Sequence, residues 1–558
     1  MTDGIRELAD RYWALVLESN PTAATLLGIH DHDDRLADLS RDTEVRTSER
    51  YRELLDETTA LTGLEADEEV TRSLLVHQIS VGLDQTELRL MEMASDQMLG
   101  PHVELLMEAP QFTYPEPHHA EAALLRYQQV PRFLDQALDR FREGLAAGRT
   151  PSMAVLDRSL NSLDGYLATD VADDPFPAAT LPEGWEGADE WRARVGELVT
   201  TTIRPAFQRF RDALSAELGP HARPDDRAGW CHLPDGDALY AALIRMHTTI
   251  TPSPQEIHDL GRHHCEQVLP LEYAEVGARA FGISDVPAIF DRLRTDPSLK
   301  HASGEEILET ARQSVAGATA VMADWFGRLP AAPCQVMPVP DFLAADAPYA
   351  YYFPPAIDGS RPGTYFINTS DPDHASRTEA ESIAYHEAIP GHHLQISISQ
   401  ELDSLPDFQK HDGATSYIEG WGLYAERLAA EMGLYTDDLA LLGMLAADSW
   451  RSARLVVDTG LHSLGWSRDQ ALAYFEEYTP VPMDQVLPEV DRYIAMPGQA
   501  LSYKIGQLEI QRLRARAEAE LGDEFDIRRF HDTVLGSGAV TLPVLAELVE
   551  DWLVSTKS

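Results

Sequence analysis

The stretch Tyr-His-Glu-Ala-Ile-Pro-Gly-His-His, residues 385–393, carries the strongest signal in this sequence, and Glu419 follows it downstream. Histidine nitrogens and a glutamate oxygen form a common ligand set for catalytic zinc, which takes three protein ligands and keeps a fourth position open. The sequence therefore predicts a metal site formed by His386, a second histidine of this stretch and Glu419.

The spacing of the two histidines differs from that of the usual H-E-x-x-H zinc helix. Pro390 stands where the second histidine would be, and His392 comes at i+6 from His386. On a regular helix this offset points about 120° away. Because Pro390 breaks a helix and Gly391 relaxes the backbone, we expect an interrupted helix that brings His392 back to the metal. His393 is the alternative ligand, or a side chain that supports a ligand from behind.

Three runs of the sequence together resemble a known family. They are H-E-A-I-P-G-H-H-L-Q at 386–395, E-G-W-G-L-Y-A-E at 419–426 and R-Y-I-A-M-P-G-Q-A-L-S-Y-K-I-G at 492–506. These runs are similar to those of a bacterial domain of unknown function, DUF885, whose members resemble gluzincin metallopeptidases. The resemblance begins near Asn20 and covers almost the whole chain. It implies a large helical metallopeptidase-like fold with a deep cleft.

The resemblance also implies roles for individual residues. The family pattern carries the histidine of the Pro-Gly-His step, which is His392 here. Related families similar to thimet oligopeptidase and carboxypeptidase Taq have a metal-binding Glu followed by another Glu seven residues on. By that likeness Glu419 is a ligand and Glu426 orients a ligand histidine. The residue pattern itself indicates Glu387 as the general base that activates water beside a single Zn²⁺ per chain.

Composition limits the class of protein. The chain has 558 residues, 44% of them hydrophobic, and a formal net charge of −47. Such a charge argues against nucleic acid or an anionic membrane as a partner. The sequence shows no long uncharged apolar segment, and its three cysteines are scattered. We expect a cytoplasmic monomer or homodimer whose partner is a short peptide or an amide-containing small molecule.

Apolar residues recur at three- and four-residue intervals through most of the chain, which predicts a mainly α-helical fold. We expect an N-terminal helical half, 1–230, and a C-terminal half, 231–558, that carries the metal site within one continuous fold. Residues 347–368 are the exception, since aromatic and β-branched residues flank an Asp-Gly-Ser turn. They predict a small hairpin, with an edge strand, that either caps the helices or forms the wall of the cleft. Tyr365 is a candidate substrate contact there.

Two further segments place polar residues on helix faces. Arg451, Arg454, Asp458 and His462 share one face of one helix. They predict either a buried ladder of ion pairs or a functional face. In the functional alternative, His462 or an arginine stabilises the oxyanion of the reaction, or Asp458 supports a ligand histidine.

The run at 492–506 begins a helix with polar residues. Tyr503 is expected to stabilise the oxyanion, and Lys504, Gln499 and Arg492 to bind the substrate, together with Arg454 of the preceding segment. The alternative is an ordinary amphipathic helix whose lysine reaches solvent.

We therefore expect a zinc-dependent hydrolase, foremost a metallopeptidase acting on short peptides. A zinc enzyme acting on a non-peptide amide would share every metal residue. A non-catalytic helical binding protein with a degenerate metal site is the third alternative, against which the intact Glu387 argues.

Overall fold

Helices form most of the chain, as the apolar periodicity predicts. The computed structural model describes residues 3–98, 100–340, 344, 348–356 and 361–557. Many helices begin at a side-chain cap, such as Ser303, whose hydroxyl accepts a hydrogen bond from the backbone of the first turn. No helix within the described ranges combines the length and the apolar composition that crossing a bilayer requires.

The chain up to residue 218 folds into ten α-helices within the part described, and two π-helical turns, Val199–Ile203 and Leu214–Leu218, extend the last two of them. The α-helices are α1 (Asp3–Ser19), α2 (Pro21–Leu26), α3 (Arg41–Ala60), α4 (Ala66–Glu87), α5 (Pro101–Glu108), α6 (Pro117–Gln128), α7 (Val130–Ala146), α8 (Met153–Ala168), α9 (Ala188–Leu198) and α10 (Arg204–Ala213). Most of their apolar faces meet in a core around Trp191 and Phe207.

The rest of the chain continues in helices, interrupted by one small sheet. The helices are α11 (Gly236–Thr248), α12 (Pro254–His263), α13 (Leu269–Phe281), α14 (Val286–Thr295), α15 (Gly304–Trp325), α16 (Ala380–Glu387), α17 (His392–Gln400), α18 (Asp407–His411), α19 (Thr415–Glu431), α20 (Asp438–His462), α21 (Arg468–Tyr478), α22 (Met483–Ala495), α23 (Ser502–Leu521), α24 (Ile527–Leu535) and α25 (Leu542–Lys557). Trp421 and Tyr417 of α19 lie in the largest core. The expected division at residue 230 stays a prediction.

The sheet has three strands in the order β1-β3-β2. They are β1 (Cys334–Pro338), β2 (Ala350–Phe353) and β3 (Gly363–Ile367), with β1 parallel and β2 antiparallel to β3. The two arms of the predicted hairpin are therefore confirmed, with β2 at the edge as its following prolines indicate. The expected turn at 357–360 lies outside the described residues. The parallel strand β1 was not predicted.

A glycine contact between α19 and α23 positions the candidate site. A Cβ added to Gly420 would lie 2.5 Å from the backbone of Gly506, and one added to Gly506 would lie 1.8 Å from the carbonyl oxygen of Ser416. The two helix backbones therefore touch, which only glycine permits. As a result, Glu419, next to Gly420, and Tyr503, three residues before Gly506, lie close enough for the charge of Glu419 to raise the pKa of Tyr503.

Candidate metal centre

The helix that leads into the histidine stretch is interrupted at the position that Pro390 predicts. Helix α16 ends at Glu387 and α17 begins at His392. A Cβ on Gly391 would lie 1.9 Å from the carbonyl oxygen of His386, so the connecting turn folds tightly back on the end of α16. This confirms the expected break. It also explains why glycine stands before His392.

The break brings the three expected ligands together. Each of the Nε2 atoms of His386 and His392 lies 3.6 Å from Oε2 of Glu419. One donor atom from each of the three residues lies within 4.8 Å of the others. Three ligands bound at about 2.1 Å to a tetrahedral ion stand about 3.4 Å apart. The observed separations are therefore close to those of a zinc site.

A carboxylate behind His386 sets the orientation of its ring. The Nδ1 atom of His386 donates a 2.8 Å hydrogen bond to Oε1 of Glu426, and the hydroxyl of Ser382 donates to Oε2 of the same carboxylate at 2.6 Å. The proton on Nδ1 leaves Nε2 free to accept a metal ion. The role expected for Glu426 agrees with this geometry. Ser382 was not anticipated, although it lies one turn before His386.

The Glu-Gly-Trp-Gly run supports the ligands with its other residues too. A Cβ on Gly422 would lie 2.7 Å from Cε1 of His386, so the imidazole packs directly on the backbone of α19. The indole Nε1 of Trp421 donates a 2.9 Å hydrogen bond to the carbonyl oxygen of Pro390 and so holds the turn before His392. Sequence reasoning missed both roles, although the two glycines around one tryptophan were a visible signal.

The charge of the group suits a divalent cation. Burial lowers the pKa of His386, but the adjacent carboxylates of Glu419 and Glu426 raise it overall, to about 9. The pKa of Glu419 falls in turn, because His386 and His392 outweigh the effect of its burial. In the absence of a metal, a proton on His386 thus compensates the carboxylates, and a bound cation would replace it. The buried Nδ1 of His392 has no hydrogen-bond partner in the described part of the chain.

Tyr503 lies beside the ligands, as expected. Its ring stacks on that of His386, with centroids 6.4 Å apart. Burial and the charge of Glu419 raise the pKa of its hydroxyl, which therefore stays protonated at neutral pH and can donate a hydrogen bond. Gln499 lies close enough to this hydroxyl to oppose the rise of its pKa, and the guanidinium of Arg454 lies 4.7 Å from the ring centroid.

Arg454 and Arg492, expected to bind substrate, share an internal counter-ion. Arg454 lies 3.0 Å and Arg492 2.9 Å from Glu489. Arg492 also donates a 2.8 Å hydrogen bond to Gln499. These two arginines, Glu489 and Gln499 thus form a polar network that packs next to Tyr503.

His462 and Asp458 are not at the ligands, and the functional roles expected for them are wrong. The Nδ1 atom of His462 accepts a hydrogen bond from the backbone N–H of Trp230, and its Nε2 donates to the carbonyl oxygen of Tyr493. Burial lowers its pKa to about 3, so it stays neutral. Asp458 accepts hydrogen bonds from the Tyr240 hydroxyl and from the backbone of the Pro-Gly turn before α23. Both residues fasten helices together.

Three other expected contacts are also wrong. Lys504 is buried and pairs with Asp448, so it reaches neither substrate nor solvent. The two ring nitrogens of His393 bond to the Tyr352 hydroxyl and to a backbone carbonyl, so this histidine is neither a ligand nor a support of one. Tyr365 is fully buried in β3. Its pKa is raised chiefly by burial and also by the nearby charge of Glu387.

A second group of possible ligands lies far from this site in sequence. It comprises His30, Asp33 and His119. Asp33 already accepts a 2.6 Å hydrogen bond from Thr25 and lies 3.6 Å from the guanidinium of Arg126. Its charge is thus compensated within the protein, which makes the group around His386 the better candidate for a metal.

The fold and the ligand group define a class: helical proteins with a His-His-Glu set at an interrupted helix. The sequence matches, over residues 21–549, the family described as "Bacterial protein of unknown function (DUF885)", and the chain belongs to that family. No curated protein shows significant sequence similarity to it.

Two solved structures are similar over the whole molecule. One is described as "the putative lipoprotein from Colwellia psychrerythraea", with 26% identity, a TM-score of 0.92 and coverage of 100% of both chains. The other, from Shewanella oneidensis, is described as "a putative lipoprotein of unknown function" and has 17% identity and a TM-score of 0.75, covering 98% of this chain and 100% of its own. At that identity the second comparison shows the fold alone.

The cytoplasmic location expected from the sequence is wrong in light of the Colwellia psychrerythraea structure, which is described as a "putative lipoprotein". The expectation rested on the absence of a long apolar segment and on the scattered cysteines, and these features do not distinguish a cytoplasmic protein from a lipid-anchored one. A protein anchored by a lipid needs no membrane-spanning helix in its globular part, and unpaired cysteines are compatible with either place.

Proposed function

We propose that this protein is a zinc-dependent hydrolase that cleaves short peptides. The observation that carries the proposal is the convergence of His386, His392 and Glu419, with the carboxylate of Glu426 behind one ligand and Glu387 directly after it. A binding protein with a structural metal would need no general base, and structural zinc is commonly enclosed by four ligands.

In this proposal His386, His392 and Glu419 hold the ion. Bound zinc supplies a Lewis acid that polarises the substrate carbonyl and acidifies a water molecule. Glu387 accepts the proton of the attacking water and passes it to the leaving amine. Tyr503, kept protonated by burial, donates a hydrogen bond to the carbonyl oxygen as negative charge develops there.

The small sheet supports a peptide as the substrate. Strand β2 is an edge strand, and the hydroxyl of its Tyr352 bonds to His393, the neighbour of ligand His392. The edge is thus tied to the helix that carries a ligand. In the metallopeptidase-like cleft that we propose, an extended peptide pairs with this edge and lays its scissile bond across the metal.

We place this activity in the bacterial envelope. The support is the similarity to the Colwellia psychrerythraea structure, described as a lipoprotein, at 26% identity over the full length. The substrates would then be peptides that are present outside the cytoplasm.

Metal analysis of purified wild type, Glu387→Gln and His392→Ala, with the same samples incubated with a mixed peptide library, tests the proposal. We expect one zinc per chain in wild type and Glu387→Gln, metal loss in His392→Ala, and cleavage by wild type alone. Absence of metal from all three samples would overturn the zinc proposal. Retained zinc without any peptide cleavage would point instead to a non-peptide amide.

A further inference from the structure

Arg451 of α20 is separated from the candidate ligand His386 by the side chain of Tyr503. Its guanidinium carbon is 5.9 Å from the ring centroid of Tyr503, and that ring stacks on His386. Arg451 is half-buried, so part of its side chain remains accessible to a ligand.

Several other cations of this region are neutralised by carboxylates. Arg427 pairs with Glu272 and Asp448, and Lys504 pairs with the same Asp448. Glu489 forms ion pairs with Arg454 and Arg492 near Tyr503. Cations in this region are thus balanced within the protein, as buried charges require.

Arg451 is different. Within the described residues no carboxylate lies within the 4.0 Å of an ion pair, and the guanidinium donates only a long 3.4 Å bond to the carbonyl oxygen of Ala447 in its own helix. Its Nε is buried and has no hydrogen-bond partner in that part of the chain. Glu379 lies nearby but forms no ion pair with Arg451. Burial raises the pKa of the Glu379 carboxyl, and the charge of Arg451 offsets part of that rise.

An unpartnered guanidinium nitrogen costs free energy when it is removed from water. This chain has 92 Asp and Glu residues against 45 Lys and Arg residues, so Arg451 does not lack a carboxylate partner because carboxylates are scarce. A ligand that brings its own carboxylate would satisfy the planar fork of Arg451, which binds such groups through two parallel hydrogen bonds.

We propose that Arg451 binds the free C-terminal carboxylate of the peptide substrate, which makes the protein a hydrolase of bonds close to the carboxyl end of short peptides. This inference rests on the proposed function. It names Arg451 as the residue that selects the substrate, in place of the neighbouring Arg454 that the sequence pattern favoured. A side-chain carboxylate of the peptide could use the same fork, and the experiment distinguishes the two sources.

The test compares N-acetylated tetrapeptides of neutral residues, each made as the free acid and as the C-terminal amide, and the same amides with a penultimate Asp or Glu. We expect wild type to cleave the acids with a kcat/KM about ten- to a hundredfold higher than the neutral amides. Arg451→Gln should lose most of that ratio, whereas Arg451→Lys, which keeps the charge but not the fork, should lose part of it. Arg312→Gln removes the same charge from an exposed position of α15 and should keep the ratio.

Binding provides a readout that does not need turnover. Calorimetry on Glu387→Gln should show the acid bound more tightly than the amide, and the added Arg451→Gln should abolish that difference. Equal binding of acid and amide would overturn the inference, as would preference for the acidic amides over the neutral acids, which would assign Arg451 to a side chain. Acid-selective binding without cleavage by wild type would keep the carboxylate site and reject the hydrolase.

Discussion

The Nδ1 atom of His386 lies 2.8 Å from Oε1 of Glu426, and this hydrogen bond links α16 to α19 beneath the ligand group. It joins two separated segments of the sequence, and it determines which nitrogen of His386 is free for a metal.

Glu426→Ala should weaken zinc binding by about 10- to 100-fold, since partners that orient a ligand contribute about that much to affinity. Competition titration with a chromogenic chelator measures this. Glu431→Ala, an exposed position of the same helix, is the matched control and should bind zinc as wild type does. Unchanged affinity in Glu426→Ala would show that its hydrogen bond to His386 has no bearing on the metal.

Gly422→Ala should displace the His386 ring, because the added Cβ would lie 2.7 Å from Cε1. We expect weaker zinc binding and a lower melting temperature. Gly165→Ala is the control, since a Cβ there, in the last turn of α8, meets nothing within 4 Å. That change should raise stability by about 0.5–1 kcal/mol. Full zinc affinity in Gly422→Ala would contradict the close packing.

Tyr503→Phe should lower kcat by about 10²–10³, the usual loss when one donor to a developing oxyanion is removed. Zinc content should not change, because the hydroxyl is not a ligand. Steady-state kinetics beside metal analysis checks this. If kcat is retained, another group donates the hydrogen bond.

Metal-free protein should lose stability as the pH rises from about 6.5 towards about 9. The pKa of His386 is raised in the folded protein from 6.5 to about 9, so its protonated form stabilises the fold fully below the unfolded pKa. That contribution disappears as the pH rises through the folded pKa. Urea unfolding of chelator-treated protein at several pH values measures it, and Glu426→Gln should show a smaller change. Zinc affinity should rise over the same range, because binding displaces the proton.

Lys504→Met should destabilise the protein without a specific effect on KM. Lys504 is buried against Asp448, which keeps Arg427 as a second partner, so we expect a loss near the lower end of about 3–5 kcal/mol. Urea unfolding and kinetics on the surviving folded protein separate the two effects. A large rise in KM with normal stability would restore the substrate role that the structure argues against.

Much of the candidate site could be predicted because its signals are local. Pro390 lacks a backbone N–H and its ring clashes with the preceding turn, so the break before His392 was visible in the order of residues. The seven-residue interval between Glu419 and Glu426 places both on one helix face, and both reach His386.

The polar residues of α20 and α23 could not be assigned in the same way. His462 and Lys504 occur at helical spacings that suit an active site, yet both are buried among partners from other helices. Periodicity shows which residues share a face and does not show what that face meets.

The sequence by itself determined the helical class, the residue types of the candidate metal site and the interruption that brings His392 to His386, because each depends on a residue and its near neighbours. Only the tertiary structure decided which cations are neutralised and which is not. Arg451 and Arg454 stand on the same helix face, but of these two only Arg454 forms an ion pair with Glu489 of α22. That difference arises from how α20 and α22 pack, which no local pattern of residues shows.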